Sequence, residues 1–229
     1  MREIILDTET TGLDPFDGHR VVEIGCVELV NTIATGRTWH CYLNPERDVP
    51  EQAFAVHGLS TDFLRDKPRF EERADDFLTF IEGSMLVMHN ASFDFGFLNA
   101  ELERLTRPLL KWDQVVDTLA LARRRQPGAP ASLDALCRRY GVDLSERDLH
   151  GALLDCRLLA SVYVELVGGH QARLEFATNG AQAAILQAQS QAARTRPTPL
   201  SPRVSEAESQ AHRAFVATLG KDALWLRYA

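Results

Sequence analysis

The order of strand-like and helix-like segments is the feature that most constrains the fold of this chain. A short apolar strand is predicted at Glu3–Asp7. Two β-branched segments, Val21–Val30 and Thr38–Leu43, follow it with Gly36 as the predicted hairpin turn. Beyond them helical spacing alternates with short apolar strands, giving helices at 70–81, 92–105, 118–125, 133–140 and 151–167 and strands at 85–88 and 114–117. This order indicates an α/β domain with a mixed sheet.

The composition of the 229 residues, 45% hydrophobic and 25% charged, is that of a globular protein and excludes a wholly disordered chain. No apolar run approaches the roughly 20 residues of a membrane span. The segment Met1–Asp7 lacks the features of a signal peptide, so we expect a cytoplasmic protein with no membrane partner. The four cysteines lie among apolar residues and none forms a C-x-x-C pair, which predicts reduced, buried thiols.

The net charge of −7 argues against a broad surface that coats nucleic acid, but the charge is unevenly distributed. The segment 104–139 carries eight Lys or Arg residues against three acids, a local charge of +5 that leaves −12 for the rest of the chain. Two interpretations stay open, namely solvated helix faces or one basic flank beside an acidic site.

A change in composition after residue 168 predicts three parts of the chain. Residues 1–168 form the α/β domain. Residues 169–202 are rich in Ala and Gln and form a flexible linker. Residues 203–229 form a C-terminal tail, in which Ser205–Leu219 regains helical periodicity and Ser205 with Glu208 makes a capping-box pattern.

Three acidic motifs lie where predicted strands end or helices begin. Asp7 and Glu9 are two apart at the end of the first strand, so their side chains share a face. Asp94 falls in the first turn of the helix that follows strand 85–88. His150 and Asp155 stand at the start of the last helix of the domain. Each motif alone is also typical of a solvated strand end or a helix cap, but together they form the ordered set D-x-E, N-x-x-F-D and H-x-x-x-x-D.

The four carboxylates of this set favour hard divalent cations, Mg²⁺ or Mn²⁺, because no thiolate or histidine cluster accompanies them. Two such ions about 3.5–4 Å apart are the usual arrangement for phosphoryl displacement. A single histidine beside them suits a general base. The set therefore predicts two-metal phosphodiester chemistry.

The three motifs resemble those of the DEDD superfamily of 3′–5′ exonucleases, in the subclass whose third motif carries His, and the resemblance spans Ile4 to about Val167. The stretches 6–12, 56–59, 132–137 and 149–155 are also similar to the proofreading (epsilon) subunits of bacterial DNA polymerase III. The resemblance implies a ribonuclease-H-like α/β fold, with a mixed sheet flanked by helices. It also implies hydrolysis of the 3′-terminal phosphodiester of single-stranded or frayed DNA, with release of 5′-mononucleotides.

For matching positions the resemblance implies roles in catalysis. Asp7 would bridge two metal ions, Glu9 and Asp155 would complete the ligand set, and Asp94 would ligate directly or through water. His150 would accept a proton from the attacking water. The residues expected at the terminal nucleotide are Thr10, Val56, His57, Asn90 and Phe93. For Val56 and Phe93 a purely structural role in the core stays open.

The C-terminal parts resemble segments that bind other replication proteins. In 171–176, Gln171, Leu174 and Phe176 are similar to the hexapeptides that dock on the sliding clamp, although a simple helix end stays open. The tail is expected to hold the polymerase catalytic (alpha) subunit through Phe215, Leu219, Trp225 and Leu226. The competing interpretation is a tail that folds back on its own domain. Whether a small third core subunit binds is left open.

Two other functions are consistent with parts of the sequence. A stand-alone exoribonuclease similar to RNase T or to oligoribonuclease would share the catalytic set, but it would not need the linker and the aromatic tail. A protein that mainly tethers the polymerase to the clamp would not need an intact set of four carboxylates and one histidine. Proofreading DNA exonuclease activity is the function that accounts for both features.

Overall fold

The computed structural model describes residues 1–145, 149–168 and 204–220 together with Trp225. The chain divides into two units, Met1–Arg173 and Leu174–Ala229. No helix in the described ranges is long and apolar enough to cross a membrane.

A five-stranded mixed sheet forms the centre of the first unit, in the order β3-β2-β1-β4-β5. Strands β1 (Arg2–Thr10), β2 (Val21–Val30) and β3 (Ile33–Tyr42) are antiparallel neighbours. Strands β4 (Met85–Met88) and β5 (Val115–Asp117) run parallel to β1. The predicted mixed sheet is confirmed. Because β1 and β4 are adjacent and parallel, their carboxyl ends meet at one edge of the sheet.

The position of the β2–β3 turn differs from the sequence prediction. The turn is formed by Asn31 and Thr32, whose φ angles of 51° and 65° suit a two-residue hairpin loop. Gly36, the predicted turn residue, lies inside β3 with a φ of 83°, where the pairing register shifts. The prediction was wrong because a glycine with positive φ serves a β-bulge as well as a turn.

Seven α-helices are described in the first unit, besides two short 3₁₀ helices at Pro15–Asp17 and Trp112–Gln114. The five longer α-helices were predicted to within one residue at each end. The helices are α1 (Glu51–His57), α2 (Thr61–Arg65), α3 (Phe70–Ile81), α4 (Ser92–Arg104), α5 (Thr118–Arg125), α6 (Leu133–Tyr140) and α7 (Ala152–Val167). The sequence analysis missed α1 and α2, which are short and leave apolar side chains such as Phe54 and Phe63 exposed. Such helices lack the buried stripe on which prediction depends.

Alternate side chains of β1 enter two different apolar clusters. Ile4 and Leu6 pack with α3 and α4 on one face of the sheet. Ile5 packs with α6 and α7 on the other face. The four cysteines are free and buried, as predicted. The domain is therefore a three-layer α/β structure, and the two residues that continue the Ile5 face of β1 are Asp7 and Glu9.

In the second unit the structure describes one helix, α8 (Glu206–Thr218). Ser205 caps it, and Glu208 completes the predicted capping box. The ring of Trp225 lies edge-on to that of His212, with the centroids 5.6 Å apart. Phe215, Leu219 and Trp225 are 60%, 48% and 57% exposed, so these apolar side chains lack the burial of core residues.

Candidate active site

The end of β1 places two carboxylates on one face of the sheet. Asp7 pairs in register with Gly25 of β2, and Glu9 pairs with Glu23. Glu9 and Glu23 are both buried. The carboxylates therefore gather at the carboxyl end of β1, inside the protein rather than at a solvated strand end.

The third carboxylate, Asp94, comes from the start of α4 directly after β4. Asn90 turns the chain between these elements with a φ of 62°. The backbone N–H and the hydroxyl of Thr8 both donate to Oδ1 of Asp94, at 2.9 Å and 2.6 Å. Asp94 is 2% exposed. Strand β1 thus fixes the carboxylate of Asp94 through Thr8, the residue that follows Asp7.

The fourth carboxylate, Asp155, is placed by a close approach of α7 to β2. A methyl group on Gly25 would lie 2.5 Å from the backbone carbonyl oxygen of Ala152, closer than packed atoms come. The Sγ of Cys156 donates to the carbonyl oxygen of Gly25 at 3.1 Å. Because Gly25 is the register partner of Asp7, this contact carries Asp155 to the face that bears Asp7.

His150 precedes α7 and borders the cluster on its open side. Its Nδ1 lies 3.3 Å from Oδ2 of Asp155, and its backbone N–H donates to the carbonyl of Val56 at 3.1 Å. Its side chain is half exposed. Glu9, His150 and Asp155 each offer a ligand atom, and these atoms lie within 4.8 Å of one another. The histidine can therefore reach both the carboxylates and a molecule in the solvent.

Crowding of buried like charges dominates the electrostatics of the site. Burial raises the pKa of Asp7 well above its usual value, and Asp94, Glu9, Asp155 and Glu23 add to the rise by repulsion. Burial also raises the pKa of Asp94 to about 7, although the hydrogen bonds from Thr8 act in the opposite direction. Like-charged groups are therefore the main neighbours that act on Asp7. A cluster of oxygen donors with this excess of negative charge fits divalent cations.

A cavity of about 650 Å³ opens over the carboxylates. It brings together all the residues that the sequence analysis assigned to catalysis or to the terminal nucleotide: Asp7, Glu9, Asp94, His150, Asp155, Thr10, Val56, His57, Asn90 and Phe93. Val56 is 46% exposed, which excludes the core role that had stayed open for it. Phe93 packs on Phe97, with the ring centroids 5.0 Å apart, and also lines the cavity.

The imidazole of His57 is buried in the wall of this cavity. Its Nδ1 accepts a hydrogen bond from the backbone N–H of Leu59 at 3.0 Å, so Nε2 carries the proton of the neutral ring. The Nε2 atom lies near the backbone of Thr10 without a hydrogen bond of ordinary geometry. Burial lowers the pKa of His57. The residue is therefore a neutral donor beside the cavity.

Eleven further residues of the cavity lining were not predicted, and Leu13, His19, Gln52 and His89 are among them. Leu13 is 86% exposed at the cavity edge. His19 lies against Gly12, and its Nδ1 is 3.1 Å from the hydroxyl of Thr11. Burial lowers the pKa of His89, whose Nδ1 is 2.9 Å from the Thr118 hydroxyl. His89 adjoins the N-x-x-F-D motif and could have been found from it, whereas the others reach the site through loop and helix geometry that no spacing reveals.

The remaining predicted contact residues belong to the second unit or fall outside the described residues. Gln171, Leu174, Phe176 and Leu226 fall outside them. Phe215, Leu219 and Trp225 belong to the second unit. Their predicted roles stay predictions.

The comparisons with known proteins agree with the fold and the site. The family model RNase_T, described as Exonuclease, matches residues 4–163. Among solved structures, Exonuclease X in complex with 5′ overhanging duplex DNA has a TM-score of 0.57 and 29% identity, covering 72% of this chain and 90% of that one. The nuclease domain of 3′hExo, a DEDDh family member bound to rAMP, has a TM-score of 0.63 and 18% identity, covering 72% and 91% of the two chains, and it supports the fold alone.

Fold and site thus define a 3′–5′ exonuclease of the DEDD type, a class of enzymes that use divalent metal ions. The DNA polymerase III subunit epsilon of Rickettsia conorii is 50% identical over 226 residues, 97% of this chain and 98% of that protein. The subunit of the same name from Escherichia coli K12 is 50% identical over 186 residues, 78% and 76% of the two chains. This chain therefore belongs to the epsilon-subunit group of the exonuclease family. The predicted ribonuclease-H-like fold, family and enzyme class are confirmed.

Proposed function

We propose that this chain proofreads DNA synthesis by hydrolysing the 3′-terminal phosphodiester of a frayed strand and releasing a 5′-mononucleotide. The observation that carries the proposal is the convergence of four carboxylates and His150 at the floor of one cavity. Its volume of about 650 Å³ lies in the range of sites for small ligands and suits a single terminal nucleotide. A mismatched end unpairs at lower cost, so it reaches such a site more often than a matched end does.

Asp7, Glu9, Asp94 and Asp155 are the residues that would hold the metal, and we propose two ions, Mg²⁺ or Mn²⁺. When bound, such ions activate water as a nucleophile and stabilise charge on the leaving oxygen. The protein contributes a fixed set of oxygen donors, held by the Thr8 hydrogen bonds and by the contact of α7 with Gly25. This preorganisation avoids rearrangement of the charged groups during the reaction.

His150 is proposed as the general base for the attacking water. The Nδ1 atom of His150 lies 3.3 Å from Oδ2 of Asp155, and a proton on Nδ1 would leave the lone pair of the neutral imidazole on Nε2. The half-exposed side chain allows Nε2 to reach a water molecule above the carboxylates. An oriented imidazole of this kind takes the proton without itself needing to bind metal.

The terminal nucleotide is proposed to contact Thr10, Val56, His57, Asn90 and Phe93. Val56 and Phe93 present apolar surface to the cavity, which suits a base or a sugar. The Nε2–H of His57 is a buried donor beside the same space, and an oxygen of the nucleotide would satisfy it. The pocket thereby combines stacking surface with one directed hydrogen bond.

The C-terminal parts are proposed to hold the enzyme at the replication site. We propose residues 1–168 as the exonuclease domain, 169–202 as a linker with a clamp-binding segment at 171–176, and 203–229 as the segment that holds the polymerase catalytic subunit. The proposed contact with the polymerase subunit is supported by the exposure of Phe215, Leu219 and Trp225. Exposed aromatic and apolar side chains in a short helical segment are typical anchors of an interface. A flexible linker would raise the effective concentration of the nuclease at the primer end.

Digestion of end-labelled primers tests the catalytic proposal. The substrates are a 3′-mismatched primer, a matched primer and a matched RNA primer, each with Mg²⁺ or with excess chelator. We expect removal of single nucleotides from the 3′ end, faster for the mismatch than for the match, slow on RNA and absent in chelator. Full activity in chelator would reject the metal-dependent mechanism, and a preference for RNA would favour a stand-alone exoribonuclease.

Truncation after Pro202 tests the proposed tail contacts. The shortened chain should keep its exonuclease activity on free single strands and lose co-purification with the polymerase catalytic subunit. Replacement of Gln171, Leu174 and Phe176 by Ala should weaken clamp binding and leave activity on free strands intact. A truncated chain with full affinity for the polymerase would show that the globular domain makes the contact instead.

A further inference from the structure

A second cavity adjoins the first one and shares part of its wall. Its volume is about 670 Å³, and it shares five lining residues with the cavity described above, namely Asp7, His89, Asn90, His150 and Asp155. Its remaining wall is formed by Leu119 and Arg123 of α5 and by Ser132, Leu133 and Asp134 at the start of α6. The reacting centre thus lies between two spaces, and only one of them is needed for the terminal nucleotide.

Arg123 gives the second cavity a positively charged side chain, whereas no Lys or Arg in the described part of the chain lines the first cavity. Among the described residues it is the only Lys or Arg that lines either cavity. Its side chain is exposed, and within the described ranges no ion pair holds it. It is close enough for its positive charge to act on His89, which lines both cavities. Within the part of the chain that the structure describes, Arg123 is therefore a cation without an ion pair, in a cavity whose lining also carries the carboxylates of Asp7, Asp134 and Asp155.

We propose that the groove between α5 and α6 binds the phosphodiester backbone of the substrate strand on the 5′ side of the scissile bond, with Arg123 on an upstream phosphate. The inference rests on the proposed function, because it assigns a second subsite to the same strand. A strand whose last nucleotide fills the first cavity must leave the reacting centre through another opening. The second cavity is adjacent to that centre and carries the cation that an anionic backbone needs.

Charge complementarity makes this assignment specific for arginine. A guanidinium donates to phosphate oxygens with two parallel hydrogen bonds, which fixes the register of the strand as well as attracting it. The local cation matters more here than on a basic protein, since the chain carries a net charge of −7. The three arginines 123–125 also end α5, where cations interact favourably with the helix dipole. All three arginines share this favourable interaction with the helix dipole, and it does not depend on the groove.

The neighbouring arginine supplies a matched control. Arg124 lies in the same last turn of α5, is exposed like Arg123, and lines neither cavity. Arg123→Ala and Arg124→Ala remove the same charge from the same helix end. They should therefore have equal effects on stability, and they should differ only where the groove is used.

The test compares hydrolysis of a single-stranded DNA decamer with that of an aryl ester of a 5′-mononucleotide, which has no upstream phosphate. For the full chain with Mg²⁺, Arg123→Ala should lower the ratio of DNA to ester hydrolysis (both as kcat/KM) by about tenfold, the effect of one charge-assisted hydrogen bond. Arg124→Ala should leave that ratio as in the wild type. The slope of log KM for DNA against log salt concentration should fall by about 0.7 for Arg123→Ala and stay unchanged for Arg124→Ala.

A neutral methylphosphonate at one upstream linkage completes the test. At the linkage that Arg123 contacts, it should reduce wild-type hydrolysis to the level of Arg123→Ala and reduce that variant no further. Equal ratios for Arg123→Ala and Arg124→Ala would overturn the proposal, as would an equal loss on DNA and ester. A wild-type chain that hydrolyses neither substrate would instead reject the proposed function.

Discussion

Strand β1 has buried acids near both of its ends, and the two groups are held in opposite ways. Near the start, Glu28 of the adjoining β2 accepts from Arg2 at 2.7 Å, from Arg37 at 2.9 Å and from the Thr35 hydroxyl at 2.7 Å. Glu3 accepts from the Tyr163 hydroxyl at 2.6 Å. The Thr35 hydrogen bond, followed by Arg2, holds the pKa of Glu28 below its usual value.

At the other end of the same strand the acids face one another instead. The pKa of Asp7 rises through burial and through the charges of its neighbours. The comparison teaches that burial alone does not mark a functional carboxylate. A buried acid with a complete set of donors belongs to the framework, whereas a cluster of buried acids that repel one another costs stability until a ligand neutralises the excess negative charge.

The largest effects should separate these two ends. Asp7→Asn should abolish exonuclease activity and, in chelator, raise the free energy of unfolding by about 1 kcal/mol or more, because repulsion is relieved. Glu28→Gln should do the reverse, with activity retained and stability lowered by about 1–3 kcal/mol, because Arg2 loses its charged partner. Activity assays and chemical denaturation in chelator measure both. An Asp7→Asn protein that is less stable than the wild type but still active would show that the acids at the two ends of β1 do not differ in role.

Replacement of the proposed base should have the next largest effect. His150→Ala should lower kcat by roughly 10²–10⁴-fold while metal affinity stays close to that of the wild type. The measurements are single-turnover hydrolysis and a metal titration. If metal affinity falls together with kcat, His150 is a ligand rather than a base.

A smaller loss is expected from a residue that touches no substrate. Gly25→Ala should push α7 away from β2 and displace Asp155, and a displacement of about 1 Å costs about 10²-fold in rate. Gly96→Ala is the matched control, since a methyl group there meets no atom within 4 Å, and it should stabilise α4 by up to about 1 kcal/mol. Kinetics over a range of Mg²⁺ concentrations would show the displaced ligand as a raised metal requirement. Equal activity of both variants would mean that α7 tolerates the methyl group.

The pH dependence of stability should be the mildest test. The folded chain keeps a proton on Asp94 up to about pH 7, whereas the unfolded chain releases it near the usual pKa of 3.8. The stability from this group is therefore complete at low pH and is lost as the pH rises through about 7. In chelator, the wild type should lose stability relative to Asp94→Asn between pH 5 and 8. A constant difference between the two proteins over that range would show that Asp94 is already ionised.

Sequence reasoning was most successful where a local pattern carries the signal. The helix at 70–81 and the strands at 21–30 and 85–88 were predicted with their observed bounds, because a stripe or a run of apolar residues defines each. The candidate catalytic set could be proposed from the sequence because it pairs unusual residue types with strand and helix ends, and the structure brings these residues to one cavity. The turn at Asn31 and Thr32 escaped, since Gly36 offered a stronger local signal for the same conformation.

The parts of the site that were missed depend on tertiary contacts. His19 reaches the cavity because the chain after β1 folds back so that its ring covers Gly12. Gln52 lies on α1, a helix that was not predicted because it lacks a regular apolar stripe, and α1 brings its side chain to the cavity. The role of Gly25 appears only when α7 is packed against it. None of these follows from spacing, because each requires the relative position of two elements distant in sequence.

Equilibrium binding of Mn²⁺ to the full chain at pH 8 tests the central claim most directly, namely that one end of β1 is a metal site and the other is not. Calorimetry or the paramagnetic signal of free Mn²⁺ gives the stoichiometry. We predict two ions per wild-type chain, two for Glu28→Gln, and loss of tight binding for Asp7→Asn. Wild-type stoichiometry and affinity in Asp7→Asn, or no binding by the wild type, would contradict the account.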